Sequence, residues 1–272
     1  MKMLLKDGKR KVLTLSYDDG VIYDKHLMEI IDKYGIKCTF NINSGCYDDN
    51  GEAGSWNRRF TREEAIKLYK DSGHEVAVHT LTHPHLEHMD SSGVIYEVTK
   101  DRENLENEFG TIVRGMAYPF GTYNSEVVNV LKMCKIAYAR TVKSTSKFEL
   151  PENWLVLDPT CHHKNPELMN LAKRFIENKS KAGVLMFYLW GHSYEFEDDN
   201  NWEIIEEFAE YMGRREDVWY ATNIEIYDYI QAFNRLETSY DKKIIHNPTD
   251  IDVWVEIDHK TVLVKAGETV RL

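Results

Sequence analysis

The chain has 272 residues, 42% of them hydrophobic, enough to bury a large core as one α/β barrel or as two smaller domains. Its 45 acidic against 34 basic residues give a formal net charge of −11, which argues against nucleic acid as the main partner and suits a bound divalent cation. The four cysteines, Cys38, Cys46, Cys134 and Cys161, have no CxxC spacing, so neither a disulfide framework nor a sulfur-ligated zinc is expected. The amino-terminal MKMLLKDGKRK has too short an apolar core for a secretory signal, and no run approaches the ~20 apolar residues of a membrane span. The sequence therefore reads as that of a soluble, cytoplasmic protein with no membrane partner.

Residues 11–20, KVLTLSYDDG, read as a buried strand that ends in two adjacent carboxylates and a glycine. Asp18 and Asp19 cannot continue a buried strand, because an ionised carboxylate needs a partner or a metal to offset its desolvation. Residues 21–34 follow with apolar residues at helical spacing, so the pair sits at the carboxyl end of a strand, where parallel α/β folds place their chemistry. Residues 36–43 are a second β-rich run, and the long loop 44–60, which holds Trp56, is expected to shape a cleft. Thr61 and Glu64 form a capping box that opens a helix to about residue 70. A short strand at 75–78 runs directly into HTLTHPHLEHM, the densest histidine cluster in the chain.

An amphipathic helix is expected over 91–109, with Val94, Ile95, Val98 and Leu105 inward. A strand at 111–117 breaks at the YPFG of 118–121, and a helix at 125–134 leads to a strand at 136–142. A short strand at 155–157, the polar loop PTCHHKNPE and a helix to about residue 178 come next. The apolar run 183–190 has the texture of a strand covered on both faces, and it ends at Gly191-His192. A helix at 201–212, a strand at 218–223 and a helix at 225–233 complete the alternation. The fold expected is a distorted parallel (β/α) barrel of seven or eight strands over residues 1–239. From residue 240 the alternation of apolar and polar residues around polar turns gives a small C-terminal β-hairpin appendage, 240–272, packed on the barrel to cover an edge or to serve a homo-oligomer contact.

His79 and His83 are spaced i, i+4 just beyond a strand end. With Asp19 they form a set of two histidines and one carboxylate that leaves positions open for water and substrate, as in catalytic rather than structural zinc sites. The aspartate pair, the histidine pair and His192 all fall at expected strand ends on one side of the fold.

In these motifs the chain resembles the NodB-like polysaccharide deacetylases, metal-dependent carbohydrate esterases on a distorted β/α barrel. SYDDG resembles the family's first motif, [ST]-[FY]-D-D-G, and HTLTH its second, H-[ST]-x-x-H. YPFG looks like the end of the third, and the strand-terminal W-G-H resembles the fifth, L-x-H. The resemblance implies that Asp18 is the general base, that Asp19, His79 and His83 bind a divalent metal, zinc by ligand type, and that His192 is the general acid. It makes the Phe120 amide an oxyanion donor.

The departures are informative. Where the family has an arginine that orients the catalytic aspartate, this chain has Ala117; Arg114 is three residues too early, and Arg140, ending the next strand, is the expected substitute. The fourth motif, D-x-x-D-W, is absent, and Asp158 is the candidate for the carboxylate that normally accompanies the histidine acid. Trp190 stands where the family has leucine and is expected to wall a pocket for the acetyl methyl group. Tyr118, His162 and Asp158 are expected along the substrate cleft, with His163, Trp56, Trp154 and Tyr194 as further candidates to line it or to pack. The function implied is removal of acetyl from an N- or O-acetylated carbohydrate by attack of metal-bound water. Hydrolysis of a non-carbohydrate C–N amide, or a carbohydrate-binding protein that has lost catalysis, are the alternatives.

Overall fold

A computed structural model describes residues 1–49 and 58–272; Trp56 lies outside them. After a two-residue strand, β1 (Lys2–Met3), the apolar run around Leu13 forms β2 (Lys11–Asp18), buried along its whole length. The chain then alternates: α1 (Asp24–Lys33), β3 (Cys38–Ile42), α2 (Arg62–Tyr69), β4 (Glu75–Val78), α3 (Ser91–Phe109), β5 (Gly115–Ala117), α4 (Ser125–Met133) and β6 (Tyr138–Arg140). It continues through β7 (Cys161–His162), α5 (Leu168–Glu177), β8 (Leu185–Gly191), α6 (Tyr194–Asp198), α7 (Glu203–Met212), β9 (Val218–Tyr220) and α8 (Asn223–Asn234). The capping box at Thr61 forms in both directions and starts α2 as the sequence implies.

The parallel strands run in the order β6-β5-β4-β3-β2-β8-β7. Residues 157–162 complete the circuit. Leu157 bridges to Arg140 of β6, accepting from the Thr141 amide at 3.0 Å and donating to Ala139 at 2.9 Å, and four residues later β7 pairs with β8. The result is the expected distorted (β/α) barrel. Its distortion lies at β9, which pairs with Lys11–Leu13 of β2, while β3 pairs with the later residues from Leu15 to Asp18.

Strand parity divides the interior in two. Leu13, Leu15 and Tyr17 of β2, with Phe187 and Leu189 of β8, face the helices and join the large core that Leu27, Ile31, Val98, Leu105 and Phe208 complete. The alternate residues face the lumen, which is polar. Thr14 donates to Asn223 at 2.8 Å, Asn41 donates to Ser16 at 2.7 Å, and Asn223 donates to the Tyr188 hydroxyl at 2.6 Å.

The amino-terminal end of the lumen is plugged by a second apolar cluster. Leu5, Val12, Trp219, Ile226 and Tyr229 meet Ile245, Val253, Val255 and Val264 of the C-terminal strands there. Those strands are β10 (Glu237–Thr238), β11 (Ile244–His246), β12 (Val253–Ile257), β13 (Lys260–Val264) and β14 (Thr269–Arg271), arranged as two small antiparallel sheets. β1 is an edge of one of them, paired with β12, and the Tyr229 hydroxyl ties both ends of the chain together by donating to Leu4 and accepting from the Trp254 amide.

Three local expectations are corrected. Residues 155–157 do not form a strand: Trp154–Val156 is a 3-10 turn that delivers Leu157 to β6. The strand expected over 111–117 is confined to Gly115–Ala117, and Ile112 before it is exposed rather than buried. On α3, Ile95 is also exposed, because the inner face is completed by Glu97 and Asp101, two buried carboxylates one turn apart.

Candidate active site

At the carboxyl mouth of the barrel β2 ends in the aspartate pair, and the backbone separates the two side chains. Asp18 keeps strand geometry and faces the lumen, whereas Asp19 adopts φ 83, a left-handed conformation that turns its carboxylate toward β4. Asp18 is buried, accepts from Asn41 at 2.9 Å, and takes hydrogen bonds on both oxygens from the Arg140 guanidinium. Arg140 is itself fully buried, with its guanidinium 4.5 Å from the ring centre of Trp190. It does not reach Asp18 from a neighbouring strand: β6 stands across the lumen from β2, and the arginine spans the barrel mouth. Burial pushes the Asp18 carboxyl up, but Arg140, with His79 and His192 nearby, overcomes this and brings it down to about 2.

β4 delivers His79. Its Nδ1 lies 2.9 Å from the Ala117 carbonyl, which can only accept, so the ring proton sits there and Nε2 keeps its lone pair toward the aspartates. The turn beyond, with His83 at φ 59, brings the second histidine round. Nε2 of His79 and Nε2 of His83 are each 3.8 Å from Asp19 Oδ1, within the ~4.2 Å that two ligand bonds of ~2.1 Å can span. The three ligand atoms lie within 4.8 Å of one another. Burial brings His79 down to about 4 and lowers His83 as well, so both rings are neutral near pH 7, the form that ligates a metal. The donor set fits a divalent cation. Arg59 donates to Asp19 at 3.1 Å and to Asn43 at 3.0 Å, a neighbour that the sequence reading missed.

His192 leaves the end of β8 with Nε2 3.8 Å from Asp18 and 4.0 Å from Asp19. Phe120, at φ 57, is half exposed, and its ring stacks on His85 at 3.9 Å and meets His83 edge-on at 4.5 Å. Trp190 faces the same space and packs edge-on against His162 at 4.5 Å.

Three expected cleft residues are engaged elsewhere. Tyr118 is buried, with its hydroxyl donating to the Leu155 carbonyl at 2.8 Å and its ring stacked on Tyr123, so it serves packing between β5 and the following turn. Asp158 accepts from the Thr141 hydroxyl at 2.5 Å and lies 3.8 Å from Lys143; it has no contact with His192. The carboxylate beside His192 is Glu195, one helical turn on, with Oε2 3.2 Å from Nδ1. His162 points to this glutamate rather than to the cleft. Trp154 packs against Tyr227 of α8, and Tyr194 lies beside the His192 ring.

A family model described as polysaccharide deacetylase matches residues 5–139. The chain is 24% identical over 118 residues to a chitin deacetylase of Pestalotiopsis sp, a match covering 43% of this chain and 37% of that protein. It spans about a third of the length of the curated relatives it matches. A solved structure from Mycobacterium smegmatis, assigned to the polysaccharide deacetylases, is similar with TM-score 0.62 at 17% identity, covering 86% of this chain and 95% of that one. The chitin deacetylase of Colletotrichum lindemuthianum is similar with TM-score 0.52 at 20% identity, over 83% and 90% of the two chains. The family model reaches from Leu5 into β6 and assigns that stretch to the polysaccharide deacetylase family, and the barrel is the fold of both solved structures over more than four-fifths of the chain.

Proposed function

We propose that this chain is a metal-dependent hydrolase that removes acetyl groups from an N- or O-acetylated carbohydrate. The observation that carries the reading is an ionised, buried Asp18 fixed by Arg140 between a two-histidine, one-carboxylate set and the free Nε2 of His192. Asp19, His79 and His83 are the residues to hold the cation, zinc by ligand type, which when bound supplies a Lewis acid for the acyl carbonyl and the attacking water.

The protein groups divide the remaining work. Asp18 accepts the proton that the attacking water loses, and Arg140 keeps its oxygens from turning away. The water oxygen bonds to the acyl carbon, and the Phe120 amide donates to the oxygen on which charge develops. His192 gives its proton to the departing nitrogen or oxygen as the bond to the acyl carbon breaks. Trp190 offers an apolar wall for the acetyl methyl group.

Acetate release from the zinc-loaded protein tests this, with N-acetylglucosamine oligomers, O-acetylated xylan oligomers and N-acetyl-lysine as the three substrates. Zinc-dependent release from one of the carbohydrates is expected. Release from N-acetyl-lysine alone would favour the non-carbohydrate amide reading, and sugar binding without release from any substrate would favour a protein that has lost catalysis.

A further inference from the structure

The acid role of His192 leaves open what sets its proton on the correct nitrogen, since the Asp158 carboxylate is engaged with Thr141 and Lys143. Glu195 is bound to the histidine locally. Its amide donates to the His192 carbonyl at 3.1 Å, and its Oε2 lies 3.3 Å from the His192 amide and 3.2 Å from Nδ1. The same oxygen is 3.0 Å from Nε2 of His162, and Oε1 is 3.2 Å from the Lys164 ammonium. Gly191 makes room for this cluster, because a Cβ there would fall 2.0 Å from Nδ1 of His163.

His162, His163 and Glu195 are close enough together to suggest a second metal site. The hydrogen bonds argue otherwise. The Lys164 amide donates to Nδ1 of His162 at 3.1 Å, so the proton of a neutral ring must sit on Nε2, which lies 3.0 Å from Glu195 and then has no lone pair for a cation. Nε2 of His163 is 3.3 Å from Glu195 but is not aligned to hydrogen-bond it. The glutamate therefore stands as an anion held by His162 and Lys164.

We infer that Glu195 is the positioning residue of His192: it accepts from Nδ1–H, leaves Nε2 facing the reacting atoms, and is kept ionised and in place by His162 and Lys164. The inference rests on the function proposed above for its kinetic consequence, but the tautomer it assigns does not. Two measurements test it on the zinc-loaded full chain. Nitrogen-15 imidazole NMR, at a pH where the ring is neutral, should find the His192 proton on Nδ1 in the wild type, with that preference lost in Glu195→Gln; a proton on Nε2 in the wild type would overturn the inference whether or not the protein turns over a substrate. For turnover, Glu195→Gln should slow release from the N-acetyl substrate by about tenfold to hundredfold, the scale of an impaired general acid, yet slow 4-nitrophenyl acetate by less than about threefold, because that leaving group departs without a proton. Glu195→Asp should recover part of the loss. Equal losses on both substrates would reduce Glu195 to a structural residue.

Discussion

An ionised aspartate sealed from water is stable only beside a fixed cation, and Asp18 has Arg140. Both side chains are buried, so neither can turn to solvent if the other is removed. Arg140→Met should therefore lose about 3–5 kcal/mol of unfolding free energy in urea, the scale of a buried charge left without its partner. Adding Asp18→Asn should recover most of it. The pair also has a defined pH signature: the folded carboxyl is near 2 and the unfolded one about 3.9, so its contribution is complete above the unfolded value and is lost as pH falls through the folded one. A single Arg140→Met variant as stable as wild type would show that the arginine is not what holds the charge. At this scale Asp18, Asp19, His79 and His192 are legible in the sequence because they stand at the ends of apolar runs, and His83 because it is spaced i, i+4 from His79. Glu195, Arg59 and Asn41 are not, since an acid in YEFEDD or an arginine in a polar loop looks like any solvated residue until the fold supplies its neighbour.

Among the elements, α3 has the least obvious bearing on the site. Its inner face presents Glu97 and Asp101 one turn apart, buried among Val94, Val98 and Leu105. Asp101 accepts from the Ser44 amide at 2.7 Å and from the His79 amide at 3.0 Å, tying the ends of β3 and β4 together. Glu97 accepts from the amide and hydroxyl of Thr82, each at 2.8 Å, and so fixes the turn that carries His83. A helix that offers no ligand atom of its own thus sets the direction of two of the proposed ligands. Asp101→Ala should weaken zinc binding by about 10- to 100-fold, the usual cost of losing an outer-shell partner, in competition with a chelator. Unchanged affinity would make Asp101 a strut for the fold alone. Helix periodicity and the Thr61 box mark the helices well in the sequence, but periodicity treats an inward acid as an error and hides this role.

For the whole molecule, the barrel has one closed end and one end that holds the candidate site. The C-terminal strands, β1 and α8 seal the amino-terminal mouth, while the strand ends opposite carry the aspartates and histidines. The alternation of strands and helices is enough to read the barrel from sequence. Its closure is not, because it depends on Leu157 and the two-residue β7, a pairing too short to leave a hydrophobic pattern. The same circuit brings Arg140 to Asp18 across the lumen, so the substitute for the missing third-motif arginine can be guessed from its strand-end position but not from any spacing. The proposed chemistry requires Asp18 to act as base beside a metal held by other residues. The direct measurement is acetate release by Asp18→Asn at zinc occupancy matched to wild type: turnover should fall by a factor on the order of 10² to 10⁴ with the metal retained. Wild-type turnover in that variant at equal zinc content would contradict it.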